Sequence, residues 1–298
     1  MSSENTTQGK RLIICCDGTS NDSEDEALTN VARISRCIDN TTHGDFVQIT
    51  LYMRGIGTGT SRWANWRDQI VGRGIDYDIR EAYKFICTNY SDTRDEIVLI
   101  GFSRGAFTVR AVAKIINDIG LLRSTGLRFL GELYSLWEKQ PKGGEEMPAH
   151  VAQPEFKKLS FVNSEEIWPN VKRAIQALAL DEDRRHFKPL LWKPKEGHQL
   201  EQYWFRGTHS DVGGGNKDAT LANITLVWMI SQLKGDVNFN ENAVRALIME
   251  DSVSRTRSNP SLLNGLEKLE ITIRMPRKTL QKNSGKLRSP IRLFFTKI

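Results

Sequence analysis

The sequence contains no apolar run near the roughly 20 residues that cross a bilayer. Its first residues, MSSENTTQGKR, are polar and hold no apolar signal-peptide core. Both absences point to a soluble, cytoplasmic protein. Cysteine is scarce: Cys15, Cys16, Cys37 and Cys87 show no metal-ligand spacing. Cys15 and Cys16 sit in a strand-like run, where neighbours point to opposite faces, so buried free thiols are expected. No metal or organic cofactor is implied. Histidine is scarce too, so an imidazole base must be one of His43, His150, His186, His198 and His209. Finally, residues 271–298 contain no acid against eight Lys or Arg.

That last asymmetry divides the chain. The tail carries +8 and the rest −2 of the net +6. We expect one domain over 11–270 and a basic C-terminal tail over 271–298. Such a tail reads either as a solvated segment or as a patch drawn to an anionic membrane surface. Arg292-Leu293-Phe294-Phe295 places apolar residues beside the charge, which favours membrane over nucleic acid. No nucleic-acid-binding motif is visible. Hydrophobic residues at 39% and charged residues at 26% suit a soluble globular domain.

The most informative stretch is Ile97-Val98-Leu99-Ile100-Gly101-Phe102-Ser103-Arg104-Gly105. A short β-branched run enters a G-x-S-x-G pentapeptide, and Ala106–Gly120 follows with helical apolar spacing and a terminal glycine. This is the pattern of a nucleophile elbow, with Ser103 exposed on a tight strand-to-helix turn. Upstream, Arg11–Cys16 and Phe46–Met53 read as strands. Thr29 or Asn30 caps a helix reaching about Asp39, and residues 75–90 read as another helix. Strands alternating with helices predict a parallel, doubly wound α/β sheet with helices on both faces. Downstream, residues 125–138 and 170–180 read as helices, 202–205 as a strand, and 219–233 and 240–250 as helices. The loop Gly55-Ile56-Gly57-Thr58-Gly59-Thr60 lacks the third-glycine spacing of a dinucleotide fingerprint and reads as a loop lining the site.

A serine nucleophile needs a base. His209 directly follows a strand candidate and lies in a glycine-rich loop, RGTHSDVGGG, after the serine in chain order. The oxyanion would meet the Arg104 N–H and a donor from Asp17-Gly18-Thr19 at the first strand's end, where Gly18 permits close backbone approach. Asp17 could equally form a local turn there.

IICCDGT, RGIGTG, EIVLIGFSRGAFTVRAVAKIINDIGLL, ALALDEDRRHF and YWFRGTHSDVGGG occur in this order. Together, over residues 11–235, they resemble an uncharacterised α/β-hydrolase domain family that includes the catalytic domain of bacterial type VI secretion phospholipase effectors. The resemblance implies an α/β-hydrolase-like core and a Ser/Asp/His triad, with Ser103 and His209 at matching positions. It also implies cleavage of ester bonds in phospholipids. The family's strand ending in Trp-Asp-Thr-Val, whose Asp completes the triad, has no counterpart here, since Trp168 is followed by Pro169. The sheet is therefore expected one strand short. The acid stays open among Asp211, Asp17, Asp181 and Asp183, with the DEDRR run reading as a helix end paired with arginine.

The expectation is a serine esterase or phospholipase-like hydrolase acting on a lipid or small-molecule ester. The alternative is a catalytically degenerate hydrolase fold kept as a binding or regulatory module.

Overall fold

The computed structural model describes residues 8–18, 27–43, 46–55, 73–91, 93–139, 162, 164–184, 189–247 and 291–296. Strand β1 (Gly9–Cys16) leads to helix α1 (Asn30–Cys37), the short β2 (Thr42–His43) and β3 (Phe46–Met53). Helix α2 (Arg73–Asn89), β4 (Glu96–Phe102) and α3 (Arg104–Ile119) follow. A 3-10 turn (Leu127–Phe129) opens α4 (Leu130–Glu138). Then come β5 (Val171–Ala179), β6 (Gln199–Phe205), α5 (His209–Gly213), α6 (Thr220–Leu233) and β7 (Ile291–Thr296). Residues 241–247 are also helical. None of the described helices is long and apolar enough to cross a membrane.

The strands make one seven-stranded sheet in the order β2-β3-β1-β4-β7-β5-β6. All neighbours are parallel except the β2–β3 pair. A parallel sheet must be covered on both faces, and here it is. Leu12, Ile14 and Cys16 of β1, with Ile97 and Leu99 of β4, pack on one face against Ile79, Tyr83, Phe107 and Val112. Ile13, Cys15, Val98 and Ile100 pack on the other against Val31, Ile34, Leu226 and Met229. Cys15 and Cys16 thus enter opposite layers as free, buried thiols, and burial pushes both thiols up.

Helix α1 starts where Thr29 accepts a hydrogen bond from the Ala32 N–H, one of the orphan donors of a first turn. At the other end of the elbow helix, Gly120 takes φ 74° and its N–H closes onto the Ile116 carbonyl.

Two expectations are corrected. Residues 170–180 are not a helix but β5. Alanine and leucine favour a helix in isolation, yet Ala177, Leu178 and Ala179 are buried in succession, as in a strand covered on both faces. Nor is the sheet one strand short. Residues 291–296, expected in the basic tail, form β7 between β4 and β5, with Leu293 opposite Leu99 on one side and Ala174 on the other. The run Ile-Arg-Leu-Phe-Phe-Thr is rich in residues that favour strands. Without it, β4 and β5 would both present unpaired edges in the middle of the molecule.

Candidate active site

Ser103 has φ 53° and ψ −124°, the single positive φ among the described non-glycine residues. Such a backbone costs on the order of 1–3 kcal/mol and persists only where its surroundings enforce it. The flanking glycines show how. A Cβ on Gly105 would lie 2.0 Å from the Cys16 carbonyl oxygen, and one on Gly101 would lie 2.6 Å from the Gly105 carbonyl oxygen. The turn is compressed against the end of β1 and admits no larger residue at either position.

The hydroxyl is not spent on capping α3. The helix begins at Arg104, so its first backbone N–H groups face the turn, as an oxyanion site requires. The Arg104 side chain is buried, with its guanidinium 3.8 Å from Asp78. Burial raises the Asp78 carboxyl to about 6, and Arg104 opposes the rise. Asp78 in turn lines a cleft of about 510 Å³ beside β3 and α2, together with Met53, Arg54, Tyr77 and Phe85.

Gly18 reaches Ser103, because a Cβ on it would lie 3.0 Å from the serine Cβ. Its N–H, however, donates to Asp17 Oδ1 at 2.7 Å. To serve an oxyanion it must change partner. Thr19 lies outside the described residues, as do Ile56–Thr60, His150 and His186. Asp17 also accepts from Thr29 Oγ1 at 2.6 Å and Tyr52 Oη at 2.8 Å. Burial raises its carboxyl against these three hydrogen bonds. Asp17 therefore ties the ends of β1 and β3 to the cap of α1.

His209 starts α5 directly after β6, and its ring stacks on Phe102 with centroids 4.6 Å apart. The imidazole thus lies beside the residue that precedes Ser103. Space for this contact comes from Gly213, where a Cβ would fall 1.8 Å from the Phe102 ring. His198, by contrast, places Nδ1 2.6 Å from the Val171 carbonyl oxygen.

Residues 10–166 and 147–232 match the family model described as T6SS, Phospholipase effector Tle1-like, catalytic domain. The chain belongs to this family. An uncharacterized protein of Saccharomyces cerevisiae, YEL023C, is 28% identical over 235 residues, or 64% of this chain and 34% of its own length. Two solved structures resemble the chain at 16% identity. One is the Tle1 effector bound to the VgrG spike of the type 6 secretion system, with a TM-score of 0.37 over 72% of this chain and 52% of that one. The other is an uncharacterized protein from Pseudomonas aeruginosa, with a TM-score of 0.38 over 78% and 46%. The chain spans about a third of the yeast relative and about half of each solved chain. Its architecture is a mostly parallel α/β sheet covered on both faces, with the strand-to-helix turn at Ser103 after β4.

The candidate acids take different places around the Ser103 turn. Both carboxylate oxygens of Asp211 are engaged: Oδ2 accepts from the Thr208 N–H and hydroxyl in the capping box, and Oδ1 accepts from Asn216 Nδ2. These bonds hold its carboxyl below the usual range, against a raising contribution from burial. Asp181 Oδ2 accepts from the Gly207 N–H at 2.8 Å, which pins the loop after β5 to the loop after β6. A residue absent from the sequence reading stands closer to the base. Glu182 Oε2 lies 3.6 Å from His209 Nδ1. The expected pairing of the DEDRR run with arginine is present, but through Glu182, which Arg184 grips with Nε and Nη2 at 2.7 Å each. The signal was the order Ser, Glu, His in the chain; the adjacency of β5 and β6, which brings Glu182 to His209, was hidden once 170–180 read as a helix.

Proposed function

We propose that this chain is a serine hydrolase that cleaves a carboxylic ester of a lipid or acyl substrate. The observation that carries the reading is the enforced left-handed backbone of Ser103, with an imidazole stacked beside it. Membership in a phospholipase catalytic-domain family supports a lipid ester over other carbonyl substrates.

In the proposed reaction Ser103 Oγ attacks the ester carbonyl while His209 takes the hydroxyl proton. The carbonyl oxygen becomes an oxyanion, met by the Arg104 N–H at the start of α3 and by a second donor at the β1 end. The tetrahedral species collapses, the carbon–oxygen bond to the leaving alcohol breaks, and His209 returns the proton to that alcohol. Water then attacks the acyl-serine and loses a proton to His209, which passes it to Ser103 Oγ as the acyl–oxygen bond breaks, releasing the acid and free enzyme. No metal or organic cofactor enters these steps. A cytoplasmic site of action completes the proposal.

The rival reading is a hydrolase fold kept for binding, motivated by the missing Trp-Asp-Thr-Val block. Hydrolysis of a short-chain p-nitrophenyl ester and of phospholipid vesicles decides between them. The hydrolase reading expects turnover by the wild type that falls to background in Ser103→Ala. A folded wild type with no turnover, or a rate unchanged in Ser103→Ala, sinks it.

A further inference from the structure

We infer that Glu182 is the positioning acid of His209, and that Arg184 holds it in place. The inference rests on the serine-hydrolase reading above and supplies the acid that this reading leaves open.

The argument begins with the sheet. β7 occupies the place between β4 and β5, and its pairing ends with Thr296 opposite Phe102. The next parallel strand is β5, which neighbours β6 in unbroken register from Arg173–Gln199 to Ala179–Phe205. The loops leaving these strands are bonded together, with the Leu180 N–H donating to the Phe205 carbonyl and the Asp181 N–H to the Gly207 carbonyl. Glu182 and His209 stand one and two residues past those ties. Their approach follows from strand register and not from chance side-chain reach.

The electrostatics fit a positioning role. The Glu182 side chain is 2% exposed and that of His209 12%. A carboxylate that dry must be compensated, and Arg184 supplies this: Nε and the backbone N–H donate to Oε1 at 2.7 and 3.3 Å, and Nη2 donates to Oε2 at 2.7 Å. Oε2 is the carboxylate oxygen turned to the imidazole, 3.6 Å from Nδ1. With Nδ1 facing the carboxylate, the proposed reaction assigns the serine proton to Nε2. The 3.6 Å separation is longer than a hydrogen bond, and such contacts tighten when substrate binds. Glu182 approaches the ring at 3.6 Å and is itself held by Arg184. Asp211 is committed to its cap, Asp181 to Gly207 and Asp17 to the β1–β3 side of the elbow.

The test compares Glu182→Gln, Asp211→Asn and wild type on the p-nitrophenyl ester, with imidazole tautomers read by histidine 15N NMR. We expect Glu182→Gln to lower kcat by on the order of 10³- to 10⁴-fold with KM within about twofold, and to shift His209 away from the Nδ1–H tautomer. A merely structural role would move neither the kcat–KM split nor the tautomer. Should Glu182→Gln not fold, Glu182→Asp keeps the charge, withdraws it by a methylene and is expected to cost on the order of 10²-fold in kcat. A kcat within threefold of wild type in these variants, or a loss confined to Asp211→Asn, overturns the inference while leaving the hydrolase reading intact. A folded wild type that turns over no ester overturns both.

Discussion

The two halves of the candidate site are built in different ways. The nucleophile half is local. Gly101, Ser103 and Gly105 lie within five residues, and the turn is set by contacts of Gly105 with the end of β1 and of Gly101 with Gly105. The base half is assembled from afar. His209 follows β6, Glu182 follows β5, and both depend on β7, which arrives from residues 291–296 to close the sheet between β4 and β5. A local motif needs only steric permission to hold its geometry. A non-local one needs strand register, and each residue in it is only as well placed as the strand behind it.

This contrast breaks most sharply at β7. Phe294→Pro removes a ladder N–H from a central strand, where proline is not tolerated. We expect loss of cooperative thermal unfolding and exposure of apolar surface to a hydrophobic dye. An unchanged melt would mean that residues 291–296 are dispensable and that the two halves meet without them.

Two glycine substitutions then separate the halves. In Gly105→Ala the new methyl meets backbone, which cannot swing aside, so a cost of about 3 kcal/mol in chemical denaturation is expected. In Gly213→Ala it meets the Phe102 ring, which carries His209. A smaller stability loss, about 1–3 kcal/mol, should come with a larger fall in esterase rate per unit of stability lost. Equal ratios in the two variants would erase the distinction.

The sequence made the local half legible. A strand run, G-x-S-x-G and a helix with a glycine stop appear in order, because local sterics write themselves into local sequence. The order β1, β3, β4 was readable for the same reason. Beyond residue 120 the reading weakened. The β5 sequence VKRAIQALA has helix-forming alanines and leucine, and only its burial between two strands makes it extended. The β7 segment sits among eight cations and no acids, so charge masked a strand. Glu182 stayed hidden because its relation to His209 exists only through the β5–β6 pairing.

The smallest expected effect concerns Asp78 beneath the elbow. The folded state keeps its proton up to about 6, against an ordinary value of 3.8. Between these values the folded state binds more protons than the unfolded chain, so this carboxyl's contribution to stability declines as pH rises from about 4 to about 6. Asp78→Asn removes that slope. Its melting temperature relative to wild type should therefore climb across that interval and level off above it. A pH-independent difference would show that Arg104 already compensates the carboxylate fully.

The most direct test of the account is fluorophosphonate labelling of the whole chain, read by intact mass on wild type, Ser103→Ala and His209→Ala. The account predicts one adduct on wild type, none on Ser103→Ala, and labelling slowed by orders of magnitude in His209→Ala. A folded wild type that takes no adduct, or an adduct that survives Ser103→Ala, would contradict it.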